Sequence, residues 1–310
     1  MRAPPLIISA ACNVAAALVI ILGAKHVYAT WPFPVMATSI QMLVTWTCMH
    51  GTPPLDKDGV ALNYLAILFA MGVAGANMSL RLNTVGTYEL YKSTQIPMLL
   101  CIQLCQFKVR ETRWGVAAAV AIMSFVALGT LGSSVAFSLP GLLAAMASTF
   151  SAAAFKVMIK VYHLHMDADT DALLYATLPR VIVLMGAYAA LLEHATYPKP
   201  LILAWILGIG VAATVLNRTA FTICGSSPML YQALAPVKTF MVVMLSNSWG
   251  DTVRTIGIAG AVLGSLGYLR CKGDPWSEAP QRSLEYLTQV GRSPLWYWVP
   301  LGCAYLQHSI

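Results

Sequence analysis

Apolar residues in this chain do not alternate with polar ones at a strand or amphipathic-helix period; they come in blocks. Positions 3–24, 59–80, 114–155, 200–217 and 219–237 carry no formal charge at all. Blocks of this length match the roughly 17–25 residues that a helix needs to cross a bilayer. Hydropathy, punctuated by Gly, Pro and charge, divides the chain into ten spans. They are 5–24, 33–50, 60–80, 85–106, 114–132, 138–159, 172–193, 201–222, 227–247 and 253–270. Connections such as "GTPPLDKDG" (51–59) and "EHATYPKP" (193–200) are short. The pattern predicts an all-α polytopic membrane protein. The first block, preceded only by Arg2, lacks a convincing small-x-small cleavage site and reads as a retained helix. In the tail, 271–310, the stretch "SPLWYWVPLGCAYL" (293–306) is apolar but short and interrupted by proline. It is expected to lie along the interface.

Composition sharpens this reading. The 310 residues are 58% hydrophobic and 10% charged, against about 25% charged in soluble chains. Little is left for a soluble domain. The net charge of +7 matters through its distribution. Arg2, Lys57, Lys108, Arg110, Arg113, Lys156, Lys160, Arg270, Lys272, Arg282 and Arg292 fall on one side; Lys25, Arg81, Lys199 and Arg254 fall on the other. Eleven against four puts both termini in the cytoplasm by the positive-inside rule. No basic tail or Arg/aromatic interleaving points to nucleic acid. The seven cysteines (Cys12, Cys48, Cys101, Cys105, Cys224, Cys271, Cys303) lie mostly in apolar segments and read as small packing residues, with no metal or cofactor implied. Gly257, Gly260, Gly264 and Gly267 form a small-residue face that permits close helix packing, a homodimer included.

At an offset of 140 residues the halves echo each other. "NMSLRLNTVGTYELYKS" from Asn77 matches "NRTAFTICGSSPMLYQA" from Asn217, with Ser79 on Thr219, Leu90 on Leu230 and Tyr91 on Tyr231. The expected division is 1–133 and 134–270, two five-helix repeats followed by a cytoplasmic tail. An odd number of spans inverts the second repeat in the bilayer.

Ionisable residues inside spans carry the candidate chemistry. Glu89 and Lys92 lie in the fourth span, Arg180 in the seventh, Arg218 in the eighth and Lys238 in the ninth. A central charge costs roughly 2.5–3.5 kcal/mol. Glu89 is one turn from Lys92 and is placed to neutralise it. Arg180 and Arg218 are expected either to snorkel or to face a cavity. Lys238 has no fixed acid, which implies an anionic partner from outside. Ser227, Tyr231, Lys238 and Val242 share one helical stripe, and Tyr88, Lys92 and Gln95 another. Each offers a cation, a phenol and a small polar group, a set that suits phosphate oxygens and a ring. Pro97 and Pro236 are expected to break the helix beside the charges. Ser226-Ser227-Pro228 reads as an N-cap with a first-turn proline. No metal cluster, Ser/His/Asp set or Cys/His pair marks an enzyme.

"NMSLRLNTVGTYELYKSTQIP" together with "SSPMLYQALAPVKT" resembles the nucleotide-sugar transporter and triose-phosphate translocator family of the drug/metabolite transporter superfamily. "FPVMATSIQMLVT" (33–45) and "DALLYATLP" (171–179) extend the resemblance over about residues 10–270. The Lys238-Thr239 pair is similar to the Lys-Thr subgroup, whose members carry mainly UDP-sugars. The resemblance implies ten helices in two inverted repeats and no cofactor. It also implies exchange of a nucleotide sugar for a nucleoside monophosphate across a Golgi or endoplasmic reticulum membrane, with lipids as surroundings. Lys92 and Lys238 match the family's central lysines; Tyr231, Tyr88, Gln95, Ser227, Thr239, Asn77 and Asn217 are the further candidates for substrate contact. Thr239 stands where plastid phosphate translocators carry Arg. Ala176-Thr177 and the run ending at Lys238 depart from GDP-sugar carriers. A sugar-phosphate or triose-phosphate/phosphate antiporter remains the alternative.

Overall fold

The structure is a computed structural model that describes residues 6–53, 55, 59–82, 91–92, 94–107, 109–130, 138–166, 169–193, 196–238, 241 and 252–270. The expectations for Tyr88, Glu89, Thr239, Val242 and the tail 271–310 lie outside these residues. Among the described residues these helices run in chain order: α1 (Leu6–Thr30), α2 (Pro34–Cys48), α3 (Gly59–Leu82), α4 (Gln95–Phe107), α5 (Arg113–Thr130), α6 (Leu139–Met166), α7 (Thr170–Leu192), α8 (Pro200–Ser226), α9 (Pro228–Ala233) and α10 (Thr252–Arg270). Five of them are long and apolar enough to cross a membrane: 6–30, 61–79, 139–164, 170–191 and 200–226. Ile7, Val183, Leu191, Leu201, Val211 and Leu263 are exposed, an apolar exterior suited to lipid. The chain is an all-helical, multi-pass membrane protein.

Helix contacts follow from small residues. α3 packs along α6 because Gly72 and Gly75 present bare backbone to it. A Cβ on Gly75 would stand 3.0 Å from both the Ala144 carbonyl and Ser148 Cβ, and Ser148 Oγ donates to the Gly72 carbonyl at 2.6 Å. Such close approach is how membrane helices gain dispersion energy without a hydrophobic driving force. α1 lies along α8, α2 along α7 and α8, α3 along α7, and α5 along α10. Gly260 and Gly264 of the expected small-residue face are filled from within the chain, by Phe125 and Ile122 of α5. The main core gathers Leu65, Leu99, Val157, Ile159, Leu173, Leu178, Met185 and Phe221, all nearly inaccessible.

Polar groups fasten the ends. Glu193, just past α7, accepts from the backbone N–H groups of Val35 and Met36 at 2.9 and 2.8 Å. It thereby satisfies donors that the first turn of α2 would leave open. Trp31 Nε1 donates to the Thr196 carbonyl at 2.8 Å. Arg218, on α8, pairs through two guanidinium nitrogens with Asp171 in the first turn of α7. Arg180 turns back along α7 to the Ala176 carbonyl and reaches Asn63 Oδ1 on α3, both at 2.7 Å. The sequence left open whether the two arginines snorkel or face a cavity; each has a protein partner.

One expectation is corrected. Lys156 and Lys160 were counted as loop residues at the end of a span closing at 159. α6 continues to Met166, and both lysines are buried inside it. Nothing between Phe155 and Met166 breaks a helix: there is no Gly, Pro or turn cluster. Without them the cytoplasmic-side tally falls from eleven to nine, against four.

Candidate functional site: a lysine cluster at mid-membrane

Lys156 lies ten residues before the end of α6, about 15 Å along the helix at 1.5 Å per residue. That is half the thickness of a typical hydrocarbon core. Its side chain is 8% exposed. Nζ donates to Gln95 Oε1 of α4 at 2.7 Å and to Gln232 Oε1 of α9. An ammonium has three donors, and these two bonds leave one more to direct. Nζ also stands 5.4 Å from the centroid of the Tyr231 ring.

Lys238 approaches the same ring, with Nζ 4.6 Å from the centroid. Two ammonium groups thus share one aromatic ring, inside the cation–π range of about 6 Å. Lys92, half-buried at the entry to α4, acts electrostatically on Lys156, Lys238 and Tyr231. The thiol of Cys224, 1% exposed in the last turn of α8, is within electrostatic range of Lys156 and Lys238. Beside Cys224, other lysines act on both: Lys92 on Lys156, and Lys92 and Lys156 on Lys238.

Local sequence explains how these groups meet. Pro236 has no N–H to give to the carbonyl four residues earlier. The ninth segment accordingly breaks at Leu234, whose N–H bonds to the Tyr231 carbonyl at 3.3 Å, and helix resumes over 235–238. In the fourth segment a turn at Thr94, whose N–H bonds to the Tyr91 carbonyl at 3.0 Å, separates Lys92 from α4. Pro97 lies in the first turn after that restart. Both interruptions fall beside a lysine.

Of the residues singled out from sequence, Lys92, Gln95, Tyr231 and Lys238 come together. Ser227 is occupied as the N-cap of α9, its Oγ accepting from Leu230 N at 3.3 Å. Asn217 is buried on α8 and turns its amide to Met42 Sδ of α2, 3.5 Å away. Asn77 sits on α3 with Nδ2 buried and without a hydrogen-bond partner. Tyr88 and Thr239 are outside the described residues. Lys156 and Gln232 were missed. The signal for Lys156 was present: the uninterrupted helical run to Met166 sets it deep, whatever its charge suggests.

No family model matches this chain. Curated relatives from Arabidopsis thaliana do. "Nucleotide-sugar uncharacterized transporter 1" is 24% identical over 266 residues, covering 78% of this chain and 67% of the relative. "UDP-xylose transporter 1" is 22% identical over 265 residues, 77% of this chain and 74% of that one. "UDP-xylose transporter 3" is 22% identical over 258 residues, covering 76% and 71%. A solved crystal structure superposes with a TM-score of 0.70 over 86% of this chain and 99% of its own, at 13% identity. That likeness is one of fold.

Proposed function

We propose that this chain carries a nucleotide sugar, with UDP-sugars the leading class, in exchange for a nucleoside monophosphate. The observation that carries this reading is the pair Lys156 and Lys238, both set against the ring of Tyr231. Each desolvated cation is costly in a bilayer, so a compensating anion is expected to arrive as cargo. Diphosphate and monophosphate oxygens accept charge-assisted hydrogen bonds from ammonium groups. The Tyr231 ring adds a surface against which a base or sugar can pack. The three relatives named above are described as nucleotide-sugar or UDP-xylose transporters, which supports the same cargo.

Helix packing supports two inverted five-helix repeats. If α1–α5 correspond in order to α6–α10, the pair α3·α6 maps onto α8·α1, and α2·α8 maps onto α7·α3; α2·α7 and α5·α10 map onto themselves. All of these contacts are present. Broken helices beside the charges are also a habit of inverted-repeat transporters. The proposed setting is an endomembrane, Golgi or endoplasmic reticulum, with both termini cytoplasmic.

Counterflow in proteoliposomes tests the function. Vesicles are preloaded with UMP, GMP, CMP or inorganic phosphate and offered labelled UDP-sugars, GDP-mannose, CMP-sialic acid or triose phosphate. UDP-sugar uptake that requires internal UMP is the expected result. Triose-phosphate uptake against inorganic phosphate would move the protein to the sugar-phosphate class. No uptake of any anion by folded protein would end the transport reading.

A further inference from the structure

α8 and α9 meet at a single residue. α8 ends at Ser226 and α9 starts at Pro228, so Ser227 is the C-cap of one and the N-cap of the other, with an extended backbone. Its N–H donates to the Ile223 carbonyl at 2.7 Å. Its own carbonyl and Oγ accept from the N–H groups of Tyr231 and Leu230, both at 3.3 Å. α9 has six residues, far fewer than the roughly 12–15 at which a helix begins to hold itself. Its direction is therefore set by what this corner rests on.

The corner rests on Tyr268. That phenol, 6% exposed in the last turn of α10, is hydrogen-bonded to the Ser227 side chain. It donates in turn to Glu111 Oε1, 3.2 Å away and just ahead of α5. A phenol has one proton to give; with that proton on the carboxylate, the serine hydroxyl is the donor to the phenol. The bonds then run one way, from Leu230 N–H to Ser227, from Ser227 to Tyr268 and from Tyr268 to Glu111, and such a chain polarises each of its members. Gly115 makes room for it: a Cβ there would stand 3.1 Å from Glu111 Oε2 and 3.4 Å from Tyr268 Cε2. Tyr268 also shares the main core with Met229 and Ala233 of α9.

We infer that Tyr268, backed by Glu111, is a positioning residue for the cargo site: through Ser227 it sets the ring of Tyr231 where a nucleotide base packs on it. The inference rests on the transport reading. Tyr231 lies one turn past the corner and its N–H bonds straight to it. Its ring is the surface that Lys156 and Lys238 share. A small swing of so short a helix about Ser227 moves that ring relative to Lys156, which is carried by the long helix α6. Tyr268 and Glu111 act on the cargo through Tyr231 and not by contact.

The test measures UMP binding by the full chain in detergent. Tyr268→Phe keeps the ring and removes the hydroxyl that links Ser227 to Glu111. The dissociation constant for UMP is expected to rise about five-fold, the effect of one net hydrogen bond. Tyr231→Leu should weaken UMP binding by itself. The two changes together should bind UMP no more weakly than Tyr231→Leu alone, because no ring is left to place. A role confined to the fold would add its full effect to the leucine variant, and such additivity overturns the inference. So does unchanged UMP binding in Tyr268→Phe or in Tyr231→Leu. Glu111→Gln keeps an acceptor for the phenol and should bind UMP nearly as the parent does, whereas Glu111→Leu should match Tyr268→Phe. Equal binding by the two Glu111 variants counts against the inference as well. Should Tyr268→Phe fail to fold, Glu111→Leu takes its place in the cycle with Tyr231→Leu. Absence of UMP binding by the folded parent protein would be a different result: it strikes at the transport reading, and this inference falls with it.

Discussion

An ammonium group in the middle of a bilayer must be partnered, hydrated or neutral. Lys156 is partnered by two amide oxygens and Lys238 by a phenol ring, neither of which cancels the charge. Removing one such cation should therefore affect cargo more than folding. Lys238→Ala is expected to lower UDP-sugar uptake about 100-fold, taking roughly 3 kcal/mol for one lost charge contact. Its thermal midpoint in detergent should hold or rise, since an uncompensated desolvated charge has been removed. A fall in thermal stability matching the fall in uptake would mean that Lys238 serves the fold. At this scale the sequence was readable where a charge interrupts an apolar block: Lys92 and Lys238 stood out for that reason. Lys156 did not, because it follows a charge-free block directly and can be mistaken for the block's end. Gln95 and Gln232 differ in legibility for a related reason. Gln95 shared a helical stripe with a lysine, while the partner of Gln232 is on another helix and 76 residues away.

Elements were legible through length and punctuation, and their packing partners were not. The ends of α1, α2, α8 and α10 fall within a few residues of the hydropathy boundaries, except that α1 continues to Thr30. Which helices touch is decided by bare backbone and by end-to-end polar contacts that no local pattern encodes. Two variants probe them. Gly75→Leu places a branched side chain where even a Cβ meets Ala144 and Ser148 at 3.0 Å; overpacking of this kind costs about 1–3 kcal/mol. The melting temperature in detergent should fall, whereas Gly208→Ala, with nothing within 4 Å of the added carbon, should be neutral or stabilising. Glu193→Ala uncaps α2 across the α7–α2 contact, and about 1 kcal/mol should be lost. Equal stability of this variant and the parent would show that the carboxylate contacts are incidental.

Across the whole molecule, burying Lys156 and Lys160 weakens the charge asymmetry without reversing it, since nine against four remains. Tags at the two termini should both be reached by antibody after selective permeabilisation of the plasma membrane, and neither should need the organelle opened. A terminus protected under those conditions would refute the shared cytoplasmic side. Asn77 and Asn217, paired by the echo in the sequence, lie on α3 and α8, the third helices of the two proposed repeats, although too few positions match for sequence alone to reveal how those repeats are joined. The contact of α3 with α6, and of α1 with α8, has a consequence for how such a chain can be divided. Each half supplies the helix that fills the other's groove, like two hands clasped rather than two fists side by side. A chain cut between residues 131 and 137 should fail as either fragment alone and recover exchange when both are made in the same membrane. Under the inverted repeats and the transport proposed above, a single half could serve as a complete carrier only by inserting in both orientations and clasping its own inverted copy.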